Sequence, residues 1–165
     1  KNLRGLIRSY CALSPRLRDR LDLVIAGGAG WGGIDVYSLI KKTGLESHIR
    51  VINAPDENIL QQLYADCSFL VLPSFYEGFG LPIVEAMQHG KPVIASNTSS
   101  MPEIVGKAGA LIDPSQPKSL ADALAQLVEN KTIYEALAGN AKLQARKFTW
   151  QKTAADMLKL FKEAL

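Results

Sequence analysis

Histidine and cysteine are scarce, two of each in 165 residues, so metal clusters and thiol chemistry have little to draw on. Cys11 and Cys67 lie in apolar stretches with no partner at metal-ligand spacing, which reads as two buried core thiols and suits a reducing cytoplasm. His48 and His89 stand alone in polar settings and read as surface residues, so no Ser-His-Asp or Cys-His set is in view. The longest apolar stretches, Leu21 to Gly30 and Cys67 to Pro73, fall far short of the roughly 18 residues that span a bilayer. A transmembrane helix is therefore not expected. The opening Lys1-Asn2-Leu3-Arg4 has no apolar segment or cleavage site behind it, and no signal peptide is expected either. A net charge of +3 is mild. Arg16, Arg18 and Arg20 alternate with Leu17 and Asp19 without interleaved aromatics, the pattern of a solvated face and not of a nucleic-acid patch. Repeats, linkers and low-complexity stretches are lacking too, which leaves one compact domain over residues 1–165.

What is present is alternation. Leu3, Leu6, Ile7 and Tyr10 recur at helical spacing up to Ser14-Pro15, and Leu21 to Ala26 reads as a strand entering a glycine-rich turn. A helix over Ile34 to Lys42 closes at Gly44, a strand follows at Ile49 to Ile52, and Asp56 caps a helix with Ile59, Leu60, Leu63 and Tyr64 on one face. Ser68 to Leu72 is a continuous apolar run, the mark of a strand covered on both faces. Pro82 then opens a helix at its first position, Gly90 closes it, and Pro92 to Ser96 is the next strand. A short helix near Pro102 to Val105 and a strand at Ala110 to Ile112 precede three helices. These are marked by Leu120, Leu124, Leu127 and Val128, by Ile133 to Arg146, and by residues 148–165, capped by Thr149 with Ala154, Met157, Leu158, Phe161 and Leu165 inward. Short strands separated by helices specify an α/β fold with a doubly wound parallel sheet, Rossmann-like, whose ligands bind at the carboxyl ends of the strands.

Among those ends the loop after Leu72 carries the chemistry. The stretch Pro73-Ser-Phe-Tyr-Glu-Gly-Phe-Gly-Leu-Pro-Ile-Val-Glu85 sets carboxylates and two glycines between a buried strand and a helix N-terminus. Unpaired N–H groups and the positive end of the helix dipole suit a phosphate. Gly78 and Gly80 remove Cβ atoms, so backbone can approach a ligand closely. Glu85 lies about 6 Å along the helix from Leu81, with its Cβ tilted back toward the N-terminus. A carboxylate at that depth suits a neutral diol beside a phosphate, such as a ribose, which leaves Glu77 for a second polyhydroxylated group. Taken singly, each glutamate also reads as an exposed surface carboxylate; their joint placement around a phosphate-shaped loop favours the site.

The run Glu77-Gly-Phe-Gly-Leu-Pro-Ile-Val-Glu85 resembles the Glu-x7-Glu motif of retaining GT-B glycosyltransferases. Its flanks resemble glycosyltransferase family 4, group 1 type: Ala65-Asp66, Leu72-Pro73-Ser74, Glu85-Ala86-Met87, Gly90-Lys91-Pro92-Val93, Pro102-Glu103 and Asp113-Pro114. The resemblance runs from Lys1 to about Phe161. It implies the C-terminal donor half of a two-domain hexosyltransferase, with a nucleoside diphosphate-sugar as donor substrate and no separate cofactor. The acceptor, a glycan or lipid-linked molecule, falls to an N-terminal domain that also supplies any peripheral membrane contact; the donor half alone is expected to be inactive. By the same resemblance Glu77 is the catalytic residue at the sugar. Gly78 and the backbone at Phe79, Gly80 and Leu81 meet sugar and diphosphate, Lys1 neutralises the diphosphate, and Glu85 takes the ribose. The base lies by Ile52, Asn53 and Ala54, and Asn53 stands where the family usually has glycine. An acidic-x-acidic pair is missing, which fits a site that uses dipoles and lysine in place of a metal ion. Ser96-Asn-Thr-Ser-Ser-Met-Pro-Glu103 resembles mannosyl-transferring members, a hint of GDP-mannose.

Two rivals stay open on sequence alone. Gly28-Ala-Gly30-Trp-Gly-Gly33 fits the dinucleotide fingerprint G-x-G-x-x-G after a strand. That reading also wants an acidic residue at the end of the next strand, which instead ends Val51-Ile52-Asn53, with Asp56 only at the following cap. The other rival is a non-catalytic module on the same fold.

Overall fold

A computed structural model describes residues 1–28 and 35–164 of the protein. In chain order the elements are α1 Leu3–Cys11, α2 Pro15–Arg18, β1 Leu23–Gly27, α3 Val36–Lys41, β2 Ile49–Asn53, α4 Glu57–Asp66 and β3 Leu70–Leu72. There follow α5 Leu81–Gln88, β4 Val93–Ser96, α6 Met101–Val105, β5 Gly109–Ile112, α7 Pro117–Glu129, α8 Lys131–Ala145 and α9 Trp150–Ala164. All strand pairs are parallel: β1 with β2, and β3, β4 and β5 in that order. The doubly wound architecture read from the sequence is thus carried by a two-stranded and a three-stranded sheet.

Side-chain alternation shows why both faces are covered. Leu70, Leu72, Val93 and Ala95 point into a core built with Tyr64, Ile83, Met87, Ile104 and Ala141, from α4, α5, α6 and α8. Their neighbours Val71, Ile94 and Ile112 point into a second core with Ile7, Tyr10, Leu120 and Leu124, from α1 and α7. Period-2 alternation in strands that are apolar at nearly every position feeds two cores at once, which requires helices on both sides.

Local signals set the helix starts. Asp56 accepts a hydrogen bond from the Ile59 N–H at 2.8 Å, Asn130 from Ile133 at 3.0 Å, and Thr149 from Lys152 at 3.2 Å. Removing the first cap, Asp56→Ala, is expected to lower stability by about 1 kcal/mol. In a melting experiment this reads as a drop in Tm of roughly 2 to 4 °C for a chain of this size.

The structure corrects several expectations. The first helix does stop before Ser14-Pro15, at Cys11, but Pro15 also opens the unexpected α2 at its first position, where its missing N–H costs nothing and its φ suits a helix. Arg18 is not merely solvated: its Nη1 donates to the carbonyls of Cys11, at 3.0 Å, and Leu13, satisfying groups that the end of α1 leaves open. Arg20 Nη2 donates to the Val128 carbonyl at 3.0 Å. Pro82 takes the second position of α5, because Leu81 is already helical. Ile59 points outward, its helix meeting the core through Tyr64, with Leu60 packed against it. Cys11 and Cys67 are half-buried free thiols, since each sits at a helix end where the core opens to solvent. His48 is half-buried, its Nδ1 3.3 Å from Asp22 Oδ1. The apolar face of α9 is exposed: Met157, Leu158 and Phe161 keep 51%, 59% and 59% of their surface, and no described residue of the helix is buried. Periodicity identifies such a face but not what covers it. The expected inward Leu165, like the start of the helix expected at Ile34, lies outside the described residues.

Candidate functional site at the strand carboxyl ends

Three strand ends meet around Glu77. At the end of β5, the Pro114 carbonyl accepts a hydrogen bond from Asn2 Nδ2 at 2.9 Å, while Asn2 Oδ1 caps α1 by accepting from the Gly5 N–H at 3.2 Å. This double anchor holds Lys1 against the loop after β3, where its Nζ lies 2.6 Å from Glu77 Oε1. The fully buried Ser74 donates to the same oxygen at 2.6 Å. Burial pushes the Glu77 carboxyl up, but the hydrogen bonds from Lys1 and Ser74 and the charge of the ammonium outweigh it and hold the carboxyl below its ordinary range. Glu77 is therefore an ionised, oriented acceptor.

The loop after β4 fixes the loop after β3 through hydroxyls. Thr98 Oγ1 donates to the Phe75 carbonyl at 3.0 Å and Ser100 Oγ to the Phe79 carbonyl at 2.8 Å. Ser99 Oγ accepts from the Glu77 N–H at 3.1 Å and donates to the Glu77 carbonyl. Sequence reading missed these residues as structural partners of the site; the run of hydroxyls at residues 98–100 was the available signal.

Gly80 makes the turn into α5. Its φ of 101° is left-handed, and a Cβ there would press on Ile83 Cδ1 at 3.1 Å, so glycine is needed for the backbone itself. At Gly78 a Cβ would meet nothing within 4 Å, so any need for glycine there comes from a ligand and not from the protein. Among the described residues, no acceptor is bonded to the backbone N–H groups of Phe79, Gly80 and Leu81. The Ile83 N–H, by contrast, already donates to the Gly80 carbonyl at 2.9 Å. The Ile83 donor is thus taken, while the N–H groups of residues 79–81 stay open to an anion. Phe79 packs edge-to-face on Phe148, with ring centroids 5.8 Å apart, and Leu81 is exposed at the mouth of the turn.

Glu85, half-buried one turn into α5, accepts a hydrogen bond from the Tyr64 hydroxyl at 2.7 Å. His89, expected at the surface, is half-buried: its ring stacks on Tyr64 at 5.9 Å and its Nε2 lies 2.8 Å from Gln61 Oε1. The reason is that the end of α5 folds against α4. At the end of β2, Ile52 is half-buried and Asn53 exposed, with Asn53 Nδ2 donating to the Tyr37 hydroxyl at 2.8 Å. Of the rival glycine motif, residues 29–33 lie outside the described residues. Asp56, the carboxylate nearest the strand end, caps α4.

Comparison with known proteins matches residues 1–144 to the family model described as glycosyl transferases group 1. The chain is 37% identical over 163 residues to O-antigen chain mannosyltransferase B of Escherichia coli, an alignment covering 98% of this chain and 42% of that protein. It superposes on Anabaena HepE in complex with UDP and glucose with a TM-score of 0.83 at 26% identity, covering 99% of this chain and 45% of that one. With the C-terminal domain of a group 1 family protein (LpcC) of Francisella tularensis, the TM-score is 0.78 at 26% identity, covering 89% and 78% of the two chains. The chain spans about two fifths of the length of the curated relatives it matches.

Proposed function

The chain belongs to the group 1 glycosyl transferases and has the fold of a Rossmann-like C-terminal GT-B half, and from that membership we propose that it holds a nucleoside diphosphate-sugar for transfer to an acceptor carried by a second domain. The observation that carries this reading is the row of open N–H groups at residues 79–81 with Glu77 before it and Glu85 behind it. The diphosphate sits on those N–H groups, aided by the helix dipole and Lys1, without a metal ion. Glu85 accepts from the ribose, Ile52 and Asn53 border the base, and Glu77 faces the sugar across Gly78. Lys1 is 61% exposed, so its pair with Glu77 is worth about 0 to 1 kcal/mol and opens readily for the incoming diphosphate.

The reaction is retaining, in the manner of glycosyltransferase family 4. The bond between the anomeric carbon and the β-phosphate oxygen breaks through an oxocarbenium-like state. The acceptor oxygen bonds that carbon on the same face, and the acceptor proton passes to the departing diphosphate. Negative charge grows beside the N–H groups and Lys1 while positive charge grows beside Glu77, so each meets an opposite partner. The transferred sugar is a hexose, with mannose favoured by residues 96–103 and by the likeness to a mannosyltransferase. The acceptor is a glycan or lipid-linked molecule, reached from the cytoplasm, and any membrane contact belongs to the acceptor domain.

Calorimetry of the 165-residue chain against GDP-, UDP-, ADP- and dTDP-sugars and NAD tests this. Binding of one nucleotide-sugar class is expected, together with no sugar transfer by this chain and transfer by the full-length protein, because the acceptor and the exclusion of water both need the second domain. NAD binding would instead support the dinucleotide reading, silence toward every nucleotide would leave a scaffold, and robust transfer by the 165-residue chain would contradict the division of labour.

A further inference from the structure

Glu85 can serve a ribose only if its carboxylate is already aimed, because a glutamate one turn into a helix has three freely rotating bonds. The structure shows what aims it. Tyr64, on the neighbouring α4, is 6% exposed and part of the core, and its hydroxyl reaches Glu85 Oε2 at 2.7 Å. Its ring is braced by the stacked His89, whose Nε2 is tied to Gln61 one turn earlier on α4. We propose that Tyr64 is a positioning residue for the nucleoside, holding Glu85 by one oxygen so that the remaining lone pairs face the ribose hydroxyls.

The hydrogen-bond inventory supports this division. A carboxylate offers about four acceptor positions, and the phenol takes one of them, leaving both positions on Oε1 and a second on Oε2 for a vicinal diol. Burial and the bond to Glu85 raise the Tyr64 pKa, so the hydroxyl stays protonated and always donates. Tyr64 itself makes no contact with the ligand in this arrangement; it acts through Glu85.

The inference rests on the reading of Glu85 as the ribose carboxylate, and the test separates the two. Affinities of the wild-type chain and of Tyr64→Phe are measured by calorimetry for GDP and UDP and for their 2′,3′-dideoxy analogues. Tyr64→Phe is expected to weaken the ribonucleotide that binds by roughly 3- to 10-fold, the size of one hydrogen bond, and to leave the dideoxy analogue unchanged. Equal weakening of both would make Tyr64 a packing residue, and unchanged affinity for both would remove its role altogether. A wild type that binds ribo- and dideoxynucleotides alike would instead overturn the assignment of Glu85. Phenylalanine keeps the ring in the core; should that variant still fail to fold, His89→Ala removes the brace from outside it and is expected to show the same ribonucleotide-specific loss at smaller size. A loss shared by the dideoxy analogue would again overturn the proposal.

Discussion

Glu77→Gln in the full-length protein is expected to cut kcat by roughly 10²-fold or more while leaving nucleotide affinity nearly intact. The substitution keeps the size of the side chain and an oxygen for Ser74 to donate to, so the geometry set by the hydroxyls at residues 98–100 is retained. What it removes is charge. Glu77 is held ionised by Lys1 and Ser74, and a charge that faces a sugar becomes important as that sugar turns cationic. An interaction that strengthens only in the transition state appears in kcat more than in KM. Steady-state kinetics with the donor varied gives the split, and calorimetry gives the affinity. An equal loss in both, or an unchanged kcat, would make Glu77 a positioning or surface residue.

The second large effect is on binding. Glu85→Ala is expected to weaken the nucleotide by about 2 to 4 kcal/mol through loss of two charge-assisted hydrogen bonds to the ribose. The structure adds a consequence: the same change leaves the Tyr64 hydroxyl without its acceptor in a mostly buried place, so folding stability falls by about 1 kcal/mol or more. The affinity is therefore measured well below the melting temperature of the variant. A 2′,3′-dideoxy nucleotide on the wild type, which leaves Tyr64 and Glu85 in place, should show a comparable loss of affinity with no change in Tm of the free chain. Normal binding by Glu85→Ala would put the ribose elsewhere.

Much of this molecule was legible because its signals are local. Asp56 and Thr149 cap helices within three residues of themselves, and the apolar runs of β3 and β4 need cover on both faces whatever lies beyond them. The loop from Glu77 to Glu85 is likewise one contiguous stretch. What sequence could not supply are pairings across the chain: Lys1 with Glu77, Tyr64 with Glu85, and Ser99 and Ser100 with the Glu77 backbone. The pairings of Glu77 need the strand ends to be brought together, and that of Glu85 needs α5 packed against α4, before the partners have neighbours. Pro15 marked the end of α1 but hid the start of α2, because proline ends one helix and begins another with equal ease, and the following turn decides which. The face of α9 misled for a different reason: an amphipathic period reports that a helix has an apolar side, and only tertiary structure says what that side meets.

The most direct test of the central claim is a crystal structure of the 165-residue chain with the nucleoside diphosphate that binds it best. The account predicts the diphosphate on the N–H groups of Phe79, Gly80 and Leu81 with Lys1 Nζ turned toward it. The ribose hydroxyls should lie within hydrogen-bond reach of Glu85, and Tyr64 should still bond its other oxygen. A nucleotide lodged along the glycine-rich stretch after β1, with the N-terminus of α5 untouched, would contradict it.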